Sequence, residues 1–273
     1  MADISAKDVM SLRNKTGLAM MECKKALMEA DGDPERAEEL LRKKLKGKME
    51  TKSDRVAGEG RISVAVSGDG NEAVIVELKA ETDFTAKNDK FIGASDKLAQ
   101  LALAVDAADP KPTDEMAAIV DDLRISTGEN ISIGRIEKLV GTGDNAVYGK
   151  YVHHDGKTGV LIQAQGDVAD DTLRQIAMHV AAAMPRPLGL SADDIPSDLV
   201  EKEKKFRIEQ AMESGKPQEI AEKIVEGGMR KFFEEVALLE QDFIMDQSKK
   251  IKDLVGSGGS LSAFRRWQVG EEG

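Results

Sequence analysis

Glu81-Thr82-Asp83-Phe84-Thr85-Ala86-Lys87-Asn88-Asp89 joins an apolar, strand-like run to a helix-like run. It reads as a polar connector with one large aromatic in its middle. Connectors run over the surface because their backbone groups need water. Phe84 is therefore either tucked back onto its own domain or offered to something else. The chain has only 7 Phe, 1 Trp and 2 Tyr in 273 residues, so each aromatic placement carries information.

Before this stretch, Arg61-Ile62-Ser63-Val64-Ala65-Val66 and Ala73-Val74-Ile75-Val76-Glu77-Leu78 read as two strands of a hairpin. Ser67-Gly68-Asp69-Gly70-Asn71 between them is turn chemistry. After it, a helix is predicted from about Asp89 to Val105, with Phe91, Leu98, Leu101, Ala102 and Val105 on one side. Thr113 caps a second helix carrying Met116, Val120 and Leu123, and Ile131–Ile136 reads as a third strand.

The same order recurs downstream. Val147–Val152 is strand-like, His153-His154-Asp155-Gly156-Lys157 is a turn, Val160–Ala164 is a strand, and a helix follows from about Asp171. This predicts an internal duplication. Leu78 and Asp89 enclose ten residues, whereas the corresponding Ala164 and Asp171 enclose six. The first connector is longer, and the extra length contains Thr82-Asp83-Phe84. A join that can be shorter, yet is extended and carries a Phe, suggests a protrusion with a purpose.

The second copy has its own interruption. Ser197–Ser214 reads as a charged helix, Gly215-Lys216-Pro217 as a turn, and Gln218–Glu240 as a second helix. So short a turn predicts an antiparallel helical hairpin, an arm over 197–240. Ser248–Val255 reads as a short helix and Leu261–Val269 as the last strand, with Arg265 and Arg266 pointing outward.

Residues 3–48 read as three short helices. Ser5 caps the first with Asp8 three positions on, a relative of the capping box. Gly17 breaks the pattern, and Asp31-Gly32-Asp33-Pro34 stops the second helix and starts the third, which carries Ala37, Leu40, Leu41 and Leu45. So small a head buries little and is expected to dock on something. Met20 and Met21 are adjacent and cannot both face one narrow core; the alternative is that both pack partly on their own domain. The basic run Arg42–Lys48 reads as a solvated helix end, with an acidic partner as the alternative. The fold class is thus α+β. The expected domains are a head over 1–50, a linker over 51–60, a first core half over 61–140, and a second over 141–273 that includes the arm.

Lys and Arg number 39 against 50 Asp and Glu, a formal charge of −11. That argues against nucleic acid as the main partner, since phosphate binding wants clustered cations. No apolar run is long enough to span a membrane, and Met1–Ser5 lacks the character of a signal peptide. With Cys23 as the single cysteine, a cytoplasmic protein is expected. Neither a nucleophile with its base nor a GxxxxGK phosphate loop occurs. His153 and His154 sit together in a turn and point different ways, a poor metal pair. His179 lies in an Ala-rich helix, where a hydrogen-bonded, partly buried residue is the default and packing against a partner the alternative. The residues read as a binding protein rather than an enzyme, without metal or cofactor.

Thr82-Asp83-Phe84-Thr85-Ala86-Lys87-Asn88 resembles the TDFVAKN-type signature of the elongation factor Ts family. Leu12–Leu27 resembles the family's LR-x-x-TG-x-x-MM-x-CKKAL block, Ile176–Ala182 its IAMHVAA, and Gly215–Gly227 its GKPxEIAEKIVEG. The four blocks fall in the family's order over nearly the whole chain. The resemblance implies nucleotide exchange on elongation factor Tu, a ubiquitin-associated-like head, and a two-part core. It also implies partner contacts by Thr82, Asp83 and Phe84 of the signature, and by Arg13, Met20, Met21 and Lys24 of the head. His179 of the second helical block joins them, as does a histidine of the second turn, for which His153 is the choice and His154 the alternative. A homodimer or two-by-two complex through the hairpin remains open. Thr85 stands where the family usually has Val, which is expected to weaken apolar packing of the loop.

Overall fold

The computed structural model describes residues 4–50, 54–141, 145–213 and 218–271. The expected turn at Gly215-Lys216-Pro217, most of Gly141-Thr142-Gly143 and the side chain of Leu45 lie outside the described residues.

The head is three helices, α1 (Ala6–Thr16), α2 (Met20–Glu29) and α3 (Pro34–Glu50). Ser5 and Asp8 form a full capping box at the start of α1. Gly17 ends it in the left-handed region, φ 74°, which costs glycine nothing. Val9, Leu12, Leu18, Cys23, Ala26, Leu27, Ala37 and Leu41 make the small core. That core is completed by Ile125 from outside the head, and Arg42 pairs with Asp122 at 3.3 Å. Within the basic run, Lys43 meets Glu39 and Lys44 meets Glu29.

The first core half is a three-stranded antiparallel sheet, β1 (Glu59–Val66), β2 (Glu72–Ala80) and β3 (Ser132–Val140), in the order β1-β2-β3. Between β2 and β3 lie α4 (Asp83–Ala86), α5 (Asp89–Ala104) and α6 (Asp114–Thr127). Thr113 caps α6 by accepting from Met116 N. Ile125, which receives the head, belongs to α6. The second half repeats the plan with β4 (Ala146–Val152), β5 (Thr158–Gly166) and α7 (Asp170–Ala182). The arm follows, α8 (Ser197–Glu213) and α9 (Gln218–Val236), and then a small hairpin, β6 (Asp242–Phe243) and β7 (Asp246–Lys250). After α10 (Ile251–Val255), β8 (Gly259–Gln268) returns to pair with β5, giving the order β4-β5-β8.

The two sheets pack face to face with helices outside, four layers in all. Strand alternation sorts the side chains. Val74, Val76 and Leu78 face α5 and α6, while Ala73 and Ile75 face the other sheet. Val160 and Ile162 face α7, while Leu161 joins Ile62, Leu139 and Trp267 between the sheets. The central strands are buried on both faces, which is why Ala73–Leu78 and Val160–Ala164 read as apolar runs. Ile62 N donates to Gly156 O at 2.8 Å, a backbone bond between the two copies.

Several sequence expectations change. Ser248–Lys250 is strand, not helix, because residues 242–250 form the β6–β7 hairpin. Arg265 and Arg266 do not point outward: Arg265 crosses to Glu137 of the first sheet at 2.6 Å, and Arg266 reaches Glu271. Lys138, expected nowhere in particular, is buried. Its amine meets the carbonyls of Leu103 and Val105 and the Glu72 carboxylate, satisfying carbonyls left open at the end of α5.

Candidate functional site

The stretch between β2 and α5 is not an irregular loop. Thr82 caps a single helical turn by accepting from Thr85 N, and Ala86 and Lys87 donate to Thr82 O and Asp83 O. Asn88 then caps α5 by accepting from Lys90 N. Two caps six residues apart make two helix starts with a sharp corner between them. The second copy spans the same join with residues 167–169, where the first uses 81–88. The extension is therefore five residues, one more than the sequence comparison suggested.

Within the turn, Ala86 points inward to the core and Phe84 points out, 83% exposed. Asp83 lies beside it, with Lys87 donating to its carboxylate at 2.7 Å. That hydrogen bond holds the Asp83 carboxyl below the usual carboxylate range, and the charges of Lys87 and Lys157 add to the effect. Lys157, in the turn of the second hairpin, pairs with Glu59 at the start of β1 at 2.6 Å.

What fixes the helical turn comes from far along the chain. The Glu129 carboxylate accepts from Glu81 N and Thr82 N at 3.1 and 3.2 Å through Oε2. Through Oε1 it accepts from the Thr82 and Thr85 hydroxyls at 2.6 and 2.8 Å. In return, Asn130 N donates to Glu81 Oε1 at 2.6 Å. Asn130 Nδ2 donates to Arg55 O, tying the segment before β1 to the same knot. Glu129 carried no signal in the sequence: its partners are more than forty positions away, and a lone Glu after a helix-ending Gly has many uses.

On the head, Arg13 and Lys24 are exposed, and so are Met20 at 47% and Met21 at 64%. Both adjacent methionines are thus exposed, not only the one that adjacency required. Met28, two turns beyond Met21 on α2, is exposed as well. Lys90, at the start of α5, lines the crevice between head and α6 together with Lys15 and Leu41.

The histidines separate clearly. His153 is half-buried and its Nδ1 lies 2.9 Å from the Tyr151 hydroxyl, while His154 is exposed against it with ring centroids 4.3 Å apart. His179 is 2% exposed, at the outer core of the second half. Its Nε2 meets Gln241 Oε1 at 3.0 Å and its Nδ1 accepts from Ile244 N at 3.2 Å. Both nitrogens are used inside the domain, so the partner-facing alternative for His179 is set aside. Burial lowers its pKa from the ordinary histidine value, and the Gln241 bond only partly offsets this.

Elsewhere, the arm encloses an apolar groove of about 800 Å³ lined by Val200, Ile208, Val225, Met229 and Phe233. Among the described residues no group of three or more His, Cys, Asp or Glu is placed to hold a metal ion. No described helix is long and apolar enough to cross a membrane.

Comparison with known proteins bears on this arrangement. A family model described as Elongation factor TS matches residues 81–271, beginning at the first residue of the extended connector. The Elongation factor Ts of Alkalilimnicola ehrlichii is 41% identical over 98% of this chain and 92% of its own length. Those of Hydrogenovibrio crunogenus and Sodalis glossinidius are each 43% identical, over 98% and 99% of this chain and 92% and 93% of their own lengths. With the signature turn, the two-copy core and this coverage together, the chain belongs to the elongation factor Ts family.

Proposed function

We propose that this chain is a guanine-nucleotide exchange factor for elongation factor Tu, and that Asp83 and Phe84 are its working tip. The carrying observation is Phe84: a large aromatic held 83% exposed on a one-turn helix, in a chain with few aromatics. Exchange breaks no covalent bond. The factor must bind the nucleotide-free partner more tightly than the GDP-bound one, and GDP then weakens the factor by the same ratio. Burying Phe84 in a gap between partner helices contributes about 1.5–3 kcal/mol. That corresponds to roughly a tenfold to hundredfold bias if the gap exists only in the open state. Asp83, its carboxylate paired with Lys87, accepts hydrogen bonds from donors at a partner helix end. The methionines of α2 supply a second, adaptable apolar contact. In this reading the factor is not an enzyme in the bond-making sense and brings no cofactor.

The test is GDP release from elongation factor Tu at subsaturating factor. Phe84→Ala is expected to slow stimulated release roughly tenfold or more and to leave the fold intact, since Phe84 packs little on its own chain. Release at the wild-type rate would overturn the wedge. A second reading, association of copies through the arm, is favoured by exposed Phe206, Ile220 and Ile224. GDP breaks a complex built for exchange and leaves a scaffold complex untouched, which separates the two.

A further inference from the structure

An isolated helical turn of four residues does not hold itself together, because nucleation fixes several dihedrals for one hydrogen bond. α4 is such a turn, and its most prominent side chain, Phe84, contributes almost no packing to it. Ala86 anchors one end in the core. The other fixed point is the Glu129 carboxylate, which accepts four hydrogen bonds from Glu81, Thr82 and Thr85. Bonds to a charged acceptor are the stronger kind. The carboxylate sits directly beneath the two residues that bracket Asp83-Phe84.

We infer that Glu129 is the positioning residue of the exchange tip: it sets the direction of Asp83 and Phe84 before the partner arrives. The inference rests on the exchange reading above. Glu129 need not touch the partner; it acts through α4. A tip ordered in advance spares the complex the cost of ordering it on contact. The same knot reaches Arg55 through Asn130 and Glu81, so the tip is referenced to both the segment before β1 and the start of β3.

A mutant cycle in the full chain tests this, with stimulated GDP release as the readout and thermal unfolding as the control on folding. Glu129→Ala is expected to lower stimulated release about tenfold, as for loss of hydrogen bonds to one charged group. Glu129→Gln keeps the shape and one accepting oxygen, and is expected to recover part of that loss. In the Phe84→Ala background, Glu129→Ala should change release by less than about twofold, because the two act as one unit. Wild-type release by folded Glu129→Ala, or a full effect that persists without Phe84, would overturn the positioning role alone. If Glu129→Ala does not fold, the Glu129→Gln arm of the cycle decides by the same criterion. Wild-type release by Phe84→Ala would instead overturn the Phe84 wedge, and the inference with it, whereas no stimulation of release by the wild-type chain would overturn the exchange reading itself.

Discussion

Gln241 decides which ring nitrogen of His179 carries the proton. The Gln241 amide nitrogen donates to the carbonyls of Pro185 and Glu235, at 3.0 and 2.7 Å, so its oxygen must face the imidazole. His179 Nε2 therefore donates, and Nδ1 is left to accept from Ile244 N. The ring is held neutral by geometry as well as by burial.

Stability is expected to follow from this. The folded pKa lies below the ordinary value of 6.5, so the unfolded chain binds the proton more readily. The contribution is complete above pH 6.5 and is lost as the pH falls through the folded pKa. Urea unfolding at successive pH values should show a midpoint that drops on acidification below 6.5. His179→Phe should flatten that part of the curve while costing about 1–3 kcal/mol at neutral pH, from the unpaired Ile244 and Gln241 groups. An unchanged slope in the variant would assign the pH dependence to other residues.

Lys87 is expected to hold the Asp83 pKa below the ordinary aspartate value. Replacing Lys87 by Met removes the hydrogen bond that lowers the Asp83 pKa, so the midpoint must move up, toward the ordinary aspartate value. Carbon-detected NMR titration of the Asp83 carboxyl measures this directly. Lys157→Met should move it in the same direction by less. A Lys87→Met midpoint identical to that of the wild type would mean that the ion pair does not persist in solution.

Gly159 of β5 lies against Ile62 of β1, where the two copies meet. A Cβ there would fall 2.3 Å from Ile62 Cγ2, with the Ile62 Cβ at 2.9 Å behind it. Gly159→Ala should destabilise the chain by about 1–3 kcal/mol through overpacking. Ile62→Ala in the same chain should remove the 2.3 Å clash with Cγ2 and leave only the 2.9 Å approach of the Cβ, giving a double variant more stable than the two single costs predict. Denaturant midpoints of the four proteins provide the check.

The strands and most helices were legible because each buries a regular pattern. Alternation in Arg61–Val66, the Thr113 cap and the Asp33-Pro34 start are local signals, and local signals survive without a structure. Phe84 was legible for a different reason: it broke the expectation set by the second copy. Thr85 was misread. Its hydroxyl bonds to Glu129 at 2.8 Å, so it tethers the turn. Glu129, Lys138 and the crossing of Arg265 to Glu137 were invisible because each is a polar residue whose partner is set by the tertiary fold. Ser248–Lys250, the end of β7, was read as helix because Asp246–Lys250 is polar and largely exposed, with no buried face to reveal its period.

The arm leaves and rejoins the second half at one point. Leu188 N donates to Val236 O, Leu238 N to Gly189 O, and Leu239 N to Leu190 O, all between 2.8 and 3.0 Å. Ile195, Val236 and Ala237 close a small core of their own at this root. The arm is thus a side branch with its base already stitched. Insertions or deletions within 197–236 begin and end at neighbouring positions, so a change in its length need not shift either sheet. Evolution or engineering can vary the reach of this branch independently of the tip around Phe84, which is carried by the other half of the core.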